Sequence, residues 1–293
     1  MKKQKDPFRI GGLWAGPSSL LLLCLTIVPL GMLVVFGFMQ GNLEVGGGFP
    51  GWTAENYIKM FSSATFPKLM VKSLGMGLLV TAICIGIAYP AAWAIAKVVK
   101  PHRRNLLVML TILPFLTSQL LLIYAMMVIL QSGGLLMNFL GTLGVANADR
   151  SILYSNTAVV IVLVYEYLPY MILCLYTSLE GISDNVVHAS RSLGAGRSKT
   201  FWNVVFPMSV PGLLSGILLV LVPVCGSFAE PALVGGPSGM MVGSLINSQF
   251  TAVLNMGYGA ALSCIFLVIL SVIMAVIRFC VSRAQVRIGG AQA

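Results

Sequence analysis

The chain has 293 residues, 58% of them hydrophobic and 9% charged, with a net charge of +10 and a mean hydropathy of +0.94. Soluble domains carry roughly a quarter charged residues. This balance excludes an ordinary soluble enzyme and places the chain in a bilayer. A helix needs about 20 apolar residues to span one, and six stretches qualify: Leu13–Met39, Leu69–Val99, Leu106–Gln131, Asn156–Ser178, Met208–Ser227 and Tyr258–Val281.

Lys2, Lys3, Lys5 and Arg9 precede the first stretch, as in a signal peptide. Its apolar core is too long for one and no small-residue cleavage site closes it, so a retained helix is expected. Basic residues gather on the cytoplasmic side of short loops. Placing the N-terminus inside puts fourteen of the eighteen Lys and Arg in the cytoplasm, leaving out only Lys59, Lys68, Lys72 and Arg150. Both termini are then cytoplasmic, and the positive charge is topological, with no call for a nucleic-acid partner. The six cysteines show neither a CxxC pair nor metal-ligand spacing and read as small buried side chains.

The 40–68 segment is an outer loop. Gly46–Gly47–Gly48 and Pro50 mark irregular chain, and Thr53 to Asn56 opens a short amphipathic helix with Tyr57, Met60 and Phe61 on one face. Residues 69–281 form a five-helix core, with further outer loops at 133–154 and 228–257, and 282–293 is a basic tail. Prolines lie inside several spans (Pro29, Pro90, Pro114, Pro169, Pro211, Pro223), where neighbouring helices can satisfy the freed backbone groups.

Two acids fall in or beside spans. Glu166 lies within the fourth, three residues before Pro169, and a charged group at the bilayer centre costs about 2.5–3.5 kcal/mol on insertion scales. Two readings stand for it. It is a counter-ion for a cationic cargo, with Tyr165, Tyr167, Tyr170 or Trp93 offering cation–π faces, or it is a neutral or paired structural carboxyl. Glu230 is expected just outside the membrane, near an outer gate.

From Glu180 to Gly216 the chain turns polar and basic, with Arg191, Arg197 and Lys199, yet stays helix-compatible. Ser183 and Asp184 fit an N-cap and a first-turn acid. A helix to about Leu193 puts Val186, Ala189 and Leu193 on one face, Gly194 and Gly196 break it, and Ser198 caps a second helix, Lys199–Phe206. Either a docking knob or an amphipathic loop lying on lipid headgroups has this shape. The run Gly194 to Thr200 imitates a phosphate-binding loop, but Leu193 and Ser198 stand where its glycines belong. No nucleotide site is expected on this chain.

The same segment resembles the coupling loop of permease subunits of binding-protein-dependent ABC importers. That loop reads E-A-A, a three-residue spacer, Gly, and later an apolar pair and Pro; the counterpart is His188-Ala189-Ser190, Arg191-Ser192-Leu193, Gly194 and Val204-Val205-Phe206-Pro207. Leu193-Gly194-Ala195, Thr200-Phe201 and Pro207-Met208 look most like the spermidine/putrescine permease branch. Tyr89-Pro90-Ala91-Ala92-Trp93, Leu168-Pro169-Tyr170-Met171 and Leu233-Val234-Gly235-Gly236 extend the likeness over about residues 50–280.

The resemblance implies an all-α polytopic protein with six transmembrane helices and a type I ABC importer permease core, in the bacterial inner membrane. It implies half of a translocation path for a small solute, polyamine-like or otherwise cationic. Amino-acid-like compounds, opines, phosphonates, thiamine and ferric iron are the alternative cargoes. The partners would be a second permease, identical or homologous, an ATPase dimer and an extracytoplasmic binding protein. ATP and Mg would sit on the ATPase, with no catalysis, cofactor or metal on this chain. ATPase contact is implied for residues 180–207, at Val187, His188, Ala189, Ser190, Arg191, Leu193, Gly194 and Ala195; Glu166, Tyr167, Tyr170, Trp93 and Glu230 are the path candidates. Two departures stand out. His188 occupies the position where the family usually has Glu, as either a tolerated contact or an altered coupling, and the acids of the polyamine branch are absent at Ser227 and Ala232. A stand-alone secondary transporter is the competing class, but no inverted repeat is visible.

Overall fold

A computed structural model describes residues 7–40, 51–143 and 151–289, with side chains from residue 19 except at 115, 140 and 280–289. Among the described residues, six helical stretches are long and apolar enough to cross a membrane: Ser19–Gly37, Thr65–Val98, Gln119–Phe139, Asn156–Glu180, Arg197–Gly226 and Met256–Phe279. Contacts divide the chain into two units, residues 1–66 with 246–268 and residues 67–245 with 269–293. The glycine run at 46–48, Pro50 and Arg150 lie outside the described residues.

In the first unit, α1 (Pro7–Gly37) is followed by α2 (Glu55–Ser62). Asn56 fastens them: its amide donates to the carbonyls of Gly37 at 3.1 Å and Met39 at 2.9 Å. The Tyr57 ring lies 4.8 Å from that of Phe38. The short helix is thus present; of the three residues read onto one face, Met60 is buried, Tyr57 half-buried and Phe61 exposed. Asn56 and Met60 point inward because the amide must reach those carbonyls, and Phe61 is 66% exposed. Thr53 Oγ1 accepts the Glu55 N–H at 3.1 Å and opens the helix.

The second unit begins in α3 (Thr65–Trp93), which passes into a π-helical turn at Ala94–Val98. The third apolar stretch is not one helix. α4 (Pro101–Ile112) gives way to a 3-10 turn at Leu113–Leu116, and α5 (Gln119–Leu130) starts afresh before α6 (Leu135–Thr142). Pro114 supplies no N–H to the turn before it, and Thr117 and Ser118 are extended, so the membrane-length run begins at Gln119 instead of Leu106.

The centre of this unit is α7 (Asn156–Glu180) against α10 (Phe206–Gly226). Val162, Leu163, Met171 and Leu175 of α7 and Val220 and Val224 of α10 are buried in one apolar core. Gly212 and Gly216, spaced as a GxxxG pair, let the helices approach: a Cβ on Gly212 would meet the Cys174 carbonyl oxygen at 2.5 Å, and one on Gly216 the Met171 sulfur at 2.5 Å. Close approach through small residues is how helices associate in lipid, where dispersion and not water exclusion holds them.

Between α7 and α10 lie α8 (Asp184–Ser192), α9 (Arg197–Thr200) and a second π turn, Phe201–Val205. The fifth span therefore starts at Arg197, and no separate helix Lys199–Phe206 forms. After α10 comes a third π turn, Pro231–Gly235, then α11 (Gly236–Gly239) and α12 (Val242–Thr251). The last helix is α13 (Met256–Gly289).

Candidate functional site

The polar loop is built from local signals. Ser183 Oγ accepts the Asn185 N–H at 3.3 Å and Asp184 puts an acid in the first turn of α8, satisfying donors that a helix start leaves open. The helix ends at Gly194, whose φ of +85° only glycine adopts at no steric cost. There the Gly194 N–H reaches Arg191 O at 2.9 Å and the Ala195 N–H reaches Ser190 O at 3.2 Å. The Ser190 and Thr200 hydroxyls, 3.2 Å apart, tie the two limbs.

Two ion pairs fix this loop to the span ends. Lys97 donates to Asp184 Oδ1 at 2.8 Å and to the Ile182 carbonyl; Arg104 donates to Glu180 at 3.2 Å and to the Ala96 carbonyl at 2.7 Å. The Lys97 hydrogen bond, and then its charge, hold the Asp184 carboxyl below the usual carboxylate range. These pairings have no local sequence signal, since the partners are 87 and 76 residues apart.

α8 has two faces. Asp184, Val187, His188 and Arg191 line a cavity of about 760 Å³ shared with Tyr89, Trp93, Lys97, Arg197 and Phe201. The other face points away: Val186 is 39% and Leu193 89% exposed, and Ala189 is exposed beside them. Of the eight candidate contact residues, Val187, His188 and Arg191 thus face the cavity, Ala189, Leu193 and Gly194 face outward, and Ser190 and Ala195 are half-buried between the limbs. The phosphate-loop imitation is the turn from α8 into α9, with no strand before it and Lys199 exposed.

The membrane acids form a second cluster. Glu230 is only 1% exposed: the chain breaks from helix at Ser227 and turns the carboxyl back inward. Gln119 Nε2 donates to Glu230 Oε1 at 2.6 Å, and Ser227 donates to Oε2. The Glu166 carboxyl lies near both Glu230 and Gln119. Its Oε2 is buried with no protein partner. Tyr167, 5.9 Å ring to ring from Tyr170, joins Gln119, Ser227 and Glu230 around a cavity of about 190 Å³.

Trp93 is not part of this cluster. It lines the loop cavity, edge-on to Phe201 at 6.1 Å. Sequence reasoning missed Gln119 and Ser227. Gln119 had a signal, as the polar residue that opens an apolar helix after Pro114. Ser227 stands where the resemblance expects an acid, and instead supports the acid three residues on.

Residues 85–286 match the family described as "Binding-protein-dependent transport system inner membrane component". The spermidine/putrescine transport system permease protein PotB of Escherichia coli strain K12 is 34% identical over 261 residues, covering 85% of this chain and 94% of that one. PotB of Haemophilus influenzae is 36% identical over 264 residues, with 90% of each covered. Among solved structures, a bacterial ABC transporter involved in import of the acidic polysaccharide alginate superposes with a TM-score of 0.73 over 97% of this chain and 98% of that one, at 16% identity.

Proposed function

The chain belongs to the family of binding-protein-dependent transport system inner membrane components, as a permease subunit of an ABC importer, and we propose that it passes an amine-bearing cation of polyamine type across the inner membrane. The observation that carries the cargo class is the Glu166–Glu230 pair. The half-buried Glu166 carboxyl lies near the buried Glu230, which lines a small cavity with Gln119 and Tyr167, and among the described residues no Lys or Arg is ion-paired to either acid. Such a site offers acceptors to an ammonium group at a depth where an unpaired charge is costly, and Tyr167 adds a ring face. The PotB relatives, named for spermidine and putrescine, support the same class.

Drive enters by the other end. The outward face of α8, with Val186, Ala189 and Leu193, is an apolar surface on a short helix anchored at its first turn by the Lys97–Asp184 pair, suited to a groove on an ATPase subunit that binds ATP and Mg. The loop and both termini then lie in the cytoplasm, and a second permease completes the path beneath a binding protein. The test is uptake by the whole transporter in proteoliposomes with its binding protein. Labelled putrescine or spermidine should enter in an ATP-dependent way, and Glu166→Gln should cut that uptake about tenfold, the worth of one hydrogen bond to a charged group. Undiminished uptake by Glu166→Gln, at equal protein level, rules out the carboxyl pair as the cation path.

A further inference from the structure

We propose that the cavity behind α8 is a binding site for the phosphodiester headgroup of an anionic phospholipid. At about 760 Å³ it has the size of an ordinary small-molecule site, large enough for a headgroup and the start of an acyl chain. Its floor is aromatic, from Tyr89, Trp93 and Phe201, and its rim is basic, from Arg191 and Arg197. The one carboxylate lining it, Asp184, is already engaged by Lys97. Arg191 and Arg197 are exposed and, among the described residues, form no ion pair, so the cavity keeps an uncompensated positive charge.

Position selects the ligand further. The cavity lies where two apolar spans end, between the π turns at Ala94–Val98 and Phe201–Val205. Such turns recur at functional sites. Trp and Tyr favour the headgroup level, basic pockets between spans hold anionic headgroups, and guanidinium forks match phosphate oxygens two at a time. His188 contributes no negative charge to the rim, at a position where the resemblance expects an acid. The face of α8 assigned to an ATPase is the opposite one, so lipid and ATPase need not compete for the helix.

The test uses the complete transporter, delipidated in detergent and titrated with phosphatidylglycerol or phosphatidylcholine, with bound lipid counted by native mass spectrometry. Phosphatidylglycerol should bind at least about tenfold more tightly, and Arg191→Gln with Arg197→Gln should erase that preference. Arg197→Lys, tested singly, should retain part of it. Lys199→Gln, on the same loop but not lining the cavity, should leave it intact. Equal binding of the two lipids, an unchanged preference in the double variant, or an equal loss in Lys199→Gln would each overturn the site. Displacement of the lipid by millimolar inorganic phosphate would instead identify free phosphate as the ligand and overturn the lipid assignment.

Discussion

Lys97 Nζ and Asp184 Oδ1 lie 2.8 Å apart and join the π turn that ends α3 to the first turn of α8. Lys97 also holds the Ile182 carbonyl, and its side chain is 13% exposed against 74% for Asp184. The lysine is therefore the anchor and the aspartate its exposed partner. Lys97→Met should lower ATP-dependent uptake severalfold, whereas Asp184→Asn should stay within about twofold of the unaltered protein, as exposed ion pairs usually contribute little. Because Lys97 lowers the Asp184 pKa, the stabilisation is complete above the ordinary Asp value of about 3.9 and fades only as pH falls through the lowered one. Uptake lost between pH 6 and 8 should thus be the same in Asp184→Asn and the unaltered protein; a difference there would show that the pair titrates otherwise.

Gly194 ends α8 at φ +85°, and nothing lies within 4 Å of where its Cβ would be. The penalty for a side chain is therefore in the backbone, about 1–2 kcal/mol for most residues and less for Asn, which tolerates left-handed angles. Gly194→Asn should retain most uptake, and Gly194→Val should lose it with the protein still in the membrane. The readout is stimulation of ATP hydrolysis by loaded binding protein. Full stimulation in Gly194→Val would remove this turn from the transmission path.

Most of the span count was legible, because twenty-residue apolar runs leave little ambiguity, and so was α8, because Ser183, Asp184 and Gly194 punctuate it locally. The break at Pro114 was misjudged for a physical reason: Leu113, Leu116 and Leu120 keep the stretch apolar through a turn that hydropathy cannot register. Periodicity puts Phe61 on one face with Tyr57 and Met60, but it does not register that Asn56 reaches two carbonyls and so sets which side of the helix is buried. The candidate site was legible only as separate residues. Glu166 and Glu230 are 64 positions apart in sequence, and only the bend at Ser227 brings the second carboxyl back to the first. Trp93 lines the loop cavity beside Phe201, apart from the carboxyl pair, and no local pattern in the sequence announces that neighbour.

Gly212 marks a close approach of α10 to α7, where an added Cβ would press on the Cys174 carbonyl and the Ser178 side chain. A backbone oxygen cannot rotate away, so overpacking here should cost about 1–3 kcal/mol. Gly212→Ala should lower the thermal unfolding midpoint in detergent, and Gly212→Leu should deplete the protein from membranes. Gly86, in α3, has nothing within 4 Å of its Cβ position. Gly86→Ala should be neutral or slightly stabilising, since alanine is the better helix former by roughly 0.5–1 kcal/mol. An equal loss at both positions would mean that general glycine flexibility, not this contact, sets stability.

Gln119 supplies Glu230 with a hydrogen bond of 2.6 Å from the first residue of α5. It is a positioning residue: without it, Glu230 keeps only Ser227 and its approach to Glu166. Gln119→Leu leaves a buried carboxyl short of a donor, which should cost about 1–3 kcal/mol of stability. If the carboxyl pair receives the cation, the same change should also raise the KM for uptake by the whole transporter, and Gln119→Asn should restore part of it. Glu230→Gln should reduce uptake of a doubly charged amine more than that of a singly charged one, because the second carboxyl then has no charge to offer. A fall in thermal stability with KM unchanged would make the cluster a structural plug between α5 and α10, and the cargo's path would have to run elsewhere.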